Sequence, residues 1–291
     1  MQQILNGIFT GSIYALFAVG YTLVFGVLDR LNLAHSAVFA AGAYIAITLV
    51  DQAGFSIWLA IPAVLVAGAI LGIIVERVAF RPLANRRDAH FAGLISSIAL
   101  AAMFIALLQA VYGPDRQQFP FDALPAATVS IGSAQATVIQ LVIVAVSVAL
   151  MVALALMVGR SNLGRGMRAV AENPHAARVL GLNVERITWM TFAISSALGA
   201  VAGVLFALNV NVAQLDLGSS IELKGLAVII LGGMGSLPGA VIGGYALGLA
   251  EVAAITFVGS SWKDVIAFGL LFLILIVRPK GLFGGRQVRE I

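Results

Sequence analysis

The chain contains no cysteine. Disulfides, thiolate metal sites and cysteine nucleophiles are thereby excluded, and the composition carries no mark of redox compartment. Charge is scarce too: Asp, Glu, Lys and Arg together make up 10% of the residues. The three histidines, His35, His90 and His175, fall in separate regions without ligand spacing, so we expect no metal site. No Ser-His-Asp set and no pair of carboxylates stands out, which leaves an enzyme reading without support. The net charge of +4 is not a nucleic-acid signature, because the arginines sit in loops between apolar runs. Their simplest role there is to orient the chain in a membrane. A basic region before the first apolar run is also missing, and that run is too long for a signal-peptide core. It reads as a retained span.

What fills the chain instead is apolar: 61% of its 291 residues are hydrophobic. Ile4–Val27, Phe91–Val111, Val138–Gly159 and Ile187–Leu215 are free of charge. Each is long enough to cross a bilayer as a helix, which takes about 20 residues. The alternation of a barrel is absent, so we expect an all-α, polytopic integral membrane protein, one transmembrane domain over 1–291. Spans are expected near 4–27, 33–50, 57–79, 91–112, 137–159, 187–210, 238–257 and 262–278, with a short one near 221–234. Two segments, 33–50 and 221–238, are short or broken. With both crossing, the count is nine and the N-terminus lies outside; with 33–50 re-entrant, it is eight and the N-terminus lies inside.

Charge assigns the loops to sides. Segment 76–90 carries Arg77, Arg81, Arg86 and Arg87, and segment 159–187 carries five arginines against Glu172 and Glu185. Together with a basic tail at 279–291, these belong in the cytoplasm. Segments 113–136, with Asp122, and 211–224, with Glu222 and Lys224, are poor in Lys and Arg and belong outside.

Glycine is abundant, 31 residues, and much of it recurs every fourth position: Gly7/Gly11, Gly68/Gly72, Gly199/Gly203, Gly235/Gly239/Gly243 and Gly244/Gly248. On a helix this spacing puts small residues on one face and lets backbones approach. The run 231–239, LGGMGSLPG, cannot be a regular helix interior. No Lys-Ser or Lys-Thr follows it and no strand precedes it, so it is not a phosphate loop. Irregular backbone at membrane depth belongs beside a cavity or buried in protein. Short, glycine-broken segments in matching halves of a transporter point to its pathway. On that basis Gly232, Gly233, Gly235, Asn32, His35 and Glu251 are candidates for a translocation path. Asn32 and His35 would share a helix face. Glu251 either pairs with Lys263, reaches the interface or faces a cavity.

The loop 159–187 has helix-forming character. Asn162 fits a helix cap, Pro174 the first turn of a second helix, and Gly181 a left-handed end after Leu180. A short helix at the inner face suits a partner's groove.

Several of these stretches resemble one family. Asn6 to Leu16 (NGIFTGSIYAL), Phe25 to Val27, Asn32 to Ser36 (NLAHS) and Gly42 to Tyr44 look like the N-terminal signature of branched-chain amino acid ABC transporter permeases. Arg165 to Asn183 resembles that family's cytoplasmic loop, and 231–240 and Arg278 to Phe283 its C-terminal signatures. Ser36 stands where many relatives are expected to have Gly. The resemblance implies a permease in a bacterial inner membrane, part of an importer for leucine, isoleucine and valine; related permeases carry urea or short amides. An ATPase-independent secondary transporter or channel is the rival of another class. The family implies a second homologous permease, two cytoplasmic ATPase subunits and an external solute-binding protein as partners. ATP and Mg would be bound by those ATPases and no cofactor by this chain. The family's coupling loop maps onto Ala171, Glu172, Asn173, Pro174, Arg178 and Gly181.

Overall fold

The computed structural model describes residues 1–84, 88–120, 127–131, 134–278 and 281–283. The expectations placed on Arg86, Arg87, Asp122 and most of the 279–291 tail lie outside the described residues. The chain folds as α1 (Gln2–Leu28), α2 (Ala34–Asp51), α3 (Ile57–Val75), α4 (Ala89–Tyr112), α5 (Val138–Arg160), α6 (Asn162–Glu172), α7 (Pro174–Val179), α8 (Val184–Val210), α9 (Leu217–Gly232), α10 (Leu237–Phe257) and α11 (Lys263–Val277). A small antiparallel hairpin, β1 (Thr128–Ile131) and β2 (Ala134–Thr137), lies between α4 and α5. It sits in a segment read from sequence only as an outer loop.

Seven helices are long and apolar enough to span a bilayer: α1, α2, α3 with its continuation to Leu83, α4, α5, α8 and α10. α9 and α11 have 16 and 15 residues, or roughly 24 Å at helical rise, shorter than the ~30 Å apolar core.

The two faces of the molecule are fixed by contacts. At one face the Gln2 side chain bonds the Gln135 backbone, and Gln117 pairs with Ala213 just after α8. At the other, Gly26 near the end of α1 meets Gly235, beside α6. α1 therefore runs from the hairpin face to the elbow face, and α8 runs the opposite way. α9, α10 and α11 continue between the same faces, so that among the described residues nine helices run between them and the N-terminus lies opposite the arginine-rich loop.

The two halves of the chain correspond. α1 packs along α10 as α3 packs along α8, and α2 and α9 each pack on the long central helix of the other half. α1 and α8 have 27 residues each, and each ends in a left-handed non-glycine residue, Asp29 and Asn211. The reversed directions of α1 and α8 make this an inverted repeat.

Small residues let the central helices touch. A Cβ on Gly203 of α8 would lie 1.9 Å from the Phe39 carbonyl of α2, and one on Gly248 of α10 would lie 2.4 Å from the Gly11 nitrogen of α1. Gly68 and Gly72 of α3 face Ser196 and Ala200 of α8 in the same way. Gly235 departs from the expected pattern: it lies in the turn before α10 with φ +86°, not on a helix face. The result is a sorted bundle. α1, α2 and α8 are mostly buried, whereas α4 and α5 turn most of their apolar surface outward, toward lipid.

Candidate functional site

Three places carry polar chemistry in or against this bundle. The first is where α2 and α9 begin. The chain leaves α1 at the elbow face, turns back over residues 29–33 and starts α2 well inside the protein: the Leu33 amide bonds Ser97 Oγ, eight residues into α4. From the hairpin face, residues 211–216 dip inward and start α9. The two N-termini meet, with Gly218 packed on the Ser36 carbonyl.

Helix N-termini are positive ends with free amides and favour an anion. Glu222 of α9 supplies one: Ser36 Oγ, in the first turn of α2, lies 3.0 Å from Glu222 Oε2. Ser36 thus makes a link between the two half-helices. Glu222 Oε1 has no partner. Sequence reading placed Glu222 in an outer loop and missed it.

Around this junction the polar groups are buried and incompletely satisfied. Asn32 is 1% exposed, and neither its amide nitrogen nor its amide oxygen has a partner. His35 is fully buried: Nε2 lies 3.3 Å from the Phe17 carbonyl, and Nδ1 has no partner. The imidazole is wedged between Phe17 and Tyr21, with ring centroids 4.8 and 5.5 Å away, and rests on the Cα positions of Gly20 and Gly199. Tyr21 OH is also unpartnered. Asn32 does not share a helix face with His35, because it precedes α2; the two are joined by the His35 backbone N–H to the Asn32 carbonyl at 3.2 Å. In this conformation they are sealed rather than open to a channel.

The second place is a charged knot. Glu251 on α10 is 5% exposed and pairs with Lys224 of α9 at 2.7 Å, while Tyr14 OH of α1 donates to its other oxygen at 2.6 Å. Lys224 also reaches Tyr14 OH at 3.0 Å, and Asp264 of α11 stands 3.6 Å from the ammonium. The expected partner Lys263 is not used. Lys224 does not lie in an outer loop but inside α9, and its depth is what lets it meet Glu251. A buried carboxylate with both oxygens engaged is a structural tie among four helices.

The third place is the elbow formed by α6 and α7, at the face opposite the hairpin. Ser161 caps α6, its Oγ accepting from the Gly164 N–H at 3.0 Å. Asn162 is instead the first helical residue, and its side chain accepts from Arg165. Gly164, Gly166, Met167 and Val170 form the buried face of α6, which rests on α1, α5 and α8. Arg168 clasps the Val158 carbonyl at the end of α5, a cation at a helix C-terminus. Asn173 caps α7, accepting from His175 and Ala176 at 3.0 and 2.9 Å, with Pro174 in the first turn. α7 ends in a Schellman motif: Leu182 N–H bonds the Ala177 carbonyl, Gly181 N–H bonds that of Arg178, and Gly181 takes φ +84°. Glu172, Asn173, Pro174, Arg178 and Gly181 are exposed, and Ala171 is half-buried. Val179 and Leu180 are 76% and 81% exposed. The well-capped turn thus holds an apolar tip out from the bundle.

The glycine run forms the turn between α9 and α10, with Gly233 and Gly235 at positive φ. The C-terminal signature closes it: Leu282 and Phe283 donate to the Leu231 and Gly232 carbonyls at 2.8 and 3.0 Å. These bonds satisfy the end of α9.

The family model for "Branched-chain amino acid transport system / permease component" matches residues 3–275. The high-affinity branched-chain amino acid transport system permease protein BraD of Pseudomonas aeruginosa is 36% identical over 303 residues, covering 100% of this chain and 98% of that one. The corresponding protein LivH of Escherichia coli K12 is 34% identical over 304 residues, covering 100% and 97%. Among solved structures, PsaBC from Streptococcus pneumoniae in complex with Fab aligns with a TM-score of 0.52 at 12% identity, over 97% of this chain and 94% of that chain, a likeness of fold alone. The inverted helical repeat, the elbow and these full-length matches agree: the chain belongs to the family of branched-chain amino acid transport system permease components.

Proposed function

We propose that the chain is the membrane-spanning permease subunit of an ATP-binding cassette importer that moves leucine, isoleucine and valine inward. The chain is a multi-pass protein of the inner membrane, and its relatives are transport permeases rather than enzymes. ATP and Mg act on two cytoplasmic ATPase subunits, which dock on the elbow. A second, homologous permease completes the pore, and an external solute-binding protein delivers the amino acid to it.

The observation that carries this reading is the seat of α6. Its buried face lies on the inner ends of α1, α5 and α8, while α7 offers Val179 and Leu180 to a partner. A push on the tip would reach the most buried helices directly. The path runs past the junction of α2 and α9, where an apolar wall stands beside helix ends and a carboxylate. Such surroundings suit a zwitterion with an aliphatic tail. Asn32, His35 and Glu222 change partners as the cavity switches sides, and Gly232, Gly233 and Gly235 give the inner turn its freedom. Glu251 holds the frame.

Gly181→Pro tests the reading, because Pro is confined to negative φ and destroys the end of α7. The variant complex should assemble in the membrane yet lose both uptake and solute-stimulated ATP hydrolysis. Survival of both activities would refute the docking role.

A further inference from the structure

The inner end of the molecule holds a cavity of about 290 Å³ that the reading above leaves without a role. It is walled by the end of α1, the end of α5, the side of α6 and the turn into α10. Val27, Val158, Met167 and Leu237 make most of its surface apolar, and no carboxylate lines it.

Two features give it a preference for negative charge. α10, a helix of 21 residues, opens into it through Ser236, Leu237 and Pro238. Ser236 Oγ takes the Gly239 N–H at 3.2 Å. The Leu237 amide, at the first helical position, has no acceptor within the helix and forms part of the positive end of the dipole. Arg168, also lining the cavity, adds a cation whose guanidinium is anchored on the Val158 carbonyl.

The second feature is Thr22. Five other hydroxyl residues in helices, Ser12, Thr48, Thr188, Thr191 and Thr256, bond back to the carbonyl four residues earlier. Thr22 does not, and neither do Ser147 and Ser196; of these three only Thr22, 1% exposed and with no partner for its Oγ1 among the described residues, lines this cavity. A buried hydroxyl without a bond is costly unless a ligand supplies one.

We infer that this cavity is a cytoplasmic-side binding site for a small aliphatic amino acid. The carboxylate is held by the α10 N-terminus, Thr22 and Arg168, and the side chain lies against the apolar wall. The cavity bridges α6 and the turn into α10. A ligand there favours this arrangement of the elbow over any other and so slows turnover when product accumulates inside. The choice of an aliphatic amino acid rests on the proposed function; the anion-holding geometry does not.

The test uses the assembled transporter in proteoliposomes with the ATPases facing the bath. Millimolar leucine in the bath should lower ATP hydrolysis several-fold. Thr22→Val should need about tenfold more leucine for the same effect, the loss expected for one hydrogen bond to a charged group. Thr22→Ser should behave as wild type, and hydrolysis without bath leucine should be unchanged in both. Inorganic phosphate and acetate should not inhibit. No inhibition by leucine, or equal inhibition of wild type and Thr22→Val, would overturn the proposal. Thr22-dependent inhibition by phosphate would overturn the amino-acid assignment. Equilibrium dialysis of labelled leucine against the same complex without the external binding protein reads the site separately, with about tenfold weaker binding expected in Thr22→Val. Should leucine uptake be absent altogether, the functional reading falls, and the dialysis result still decides the site.

Discussion

Two carboxylates, the half-buried Glu222 on α9 and the buried Glu251 on α10, are treated differently. Glu251 has a partner for each oxygen, Lys224 and Tyr14, and ties α1, α9 and α10 together. Glu222 has only Ser36 for one oxygen and nothing for the other, and its neighbours Asn32, His35 and Tyr21 are equally short of partners. Glu222 lies on α9 two residues before Lys224, whereas Glu251 lies on α10, 27 residues after it. A satisfied network rigidifies, whereas a partly satisfied one is held by its surroundings and is free to exchange partners. The knot reads as frame and the junction as moving part.

The largest expected effect falls on the frame. Lys224→Met leaves Glu251 buried and unpaired, a loss on the order of 3–5 kcal/mol. The variant should fail to accumulate in membranes, read by immunoblot and by thermal melting of the detergent-purified protein. Lys224→Met with Glu251→Leu removes both charges and should recover most of the loss. Failure of the double variant to recover would show that the pair does more than hold helices.

Glu222→Gln sharpens the other side. Its shape is kept, and one acceptor still faces Ser36. Abundance and melting should stay near wild type, while uptake of labelled leucine should fall by about tenfold or more, as intramembrane charges tend to be used. Unimpaired uptake would return Glu222 to the frame with Glu251. A smaller effect belongs to Ser36→Ala. It removes one hydrogen bond to a carboxylate, worth about 1.5–3 kcal/mol when the acceptor is charged, and the carboxylate keeps the α2 dipole. Melting should drop modestly. Ser36→Gly, the residue the sequence resemblance led us to expect here, should be tolerated at least as well in transport.

The sequence made the spans readable because lipid imposes one simple demand: about 20 apolar residues and a satisfied backbone. The boundaries of α1, α4, α5, α8 and α10 were legible for that reason, as were the glycine faces and the break between α9 and α10. The caps of the elbow were nearly so. Ser161 and Asn162 are both good capping residues in adjacent positions, and only the backbone decides between them. What stayed hidden was tertiary. Glu222 and Lys224 raised the polarity of one stretch and made it look like an outer loop, because their partners Ser36 and Glu251 are far away in sequence. Lys263 looked like the natural mate of Glu251 by proximity along the chain, yet the start of α11 brings Asp264 to the knot instead. His35 was legible as a buried polar group, but not its enclosure by Gly20 and Gly199 from two other helices.

All of this depends on force entering at the elbow. With no native cysteine in the chain, Leu180→Cys places a single thiol on the exposed apolar residue that ends α7. Cross-linking from that thiol in the co-purified complex should capture an ATPase subunit, with a yield that changes on adding ATP. A thiol that captures no nucleotide-hydrolysing partner, and that reacts in intact cells with a membrane-impermeant reagent from outside, would contradict the account.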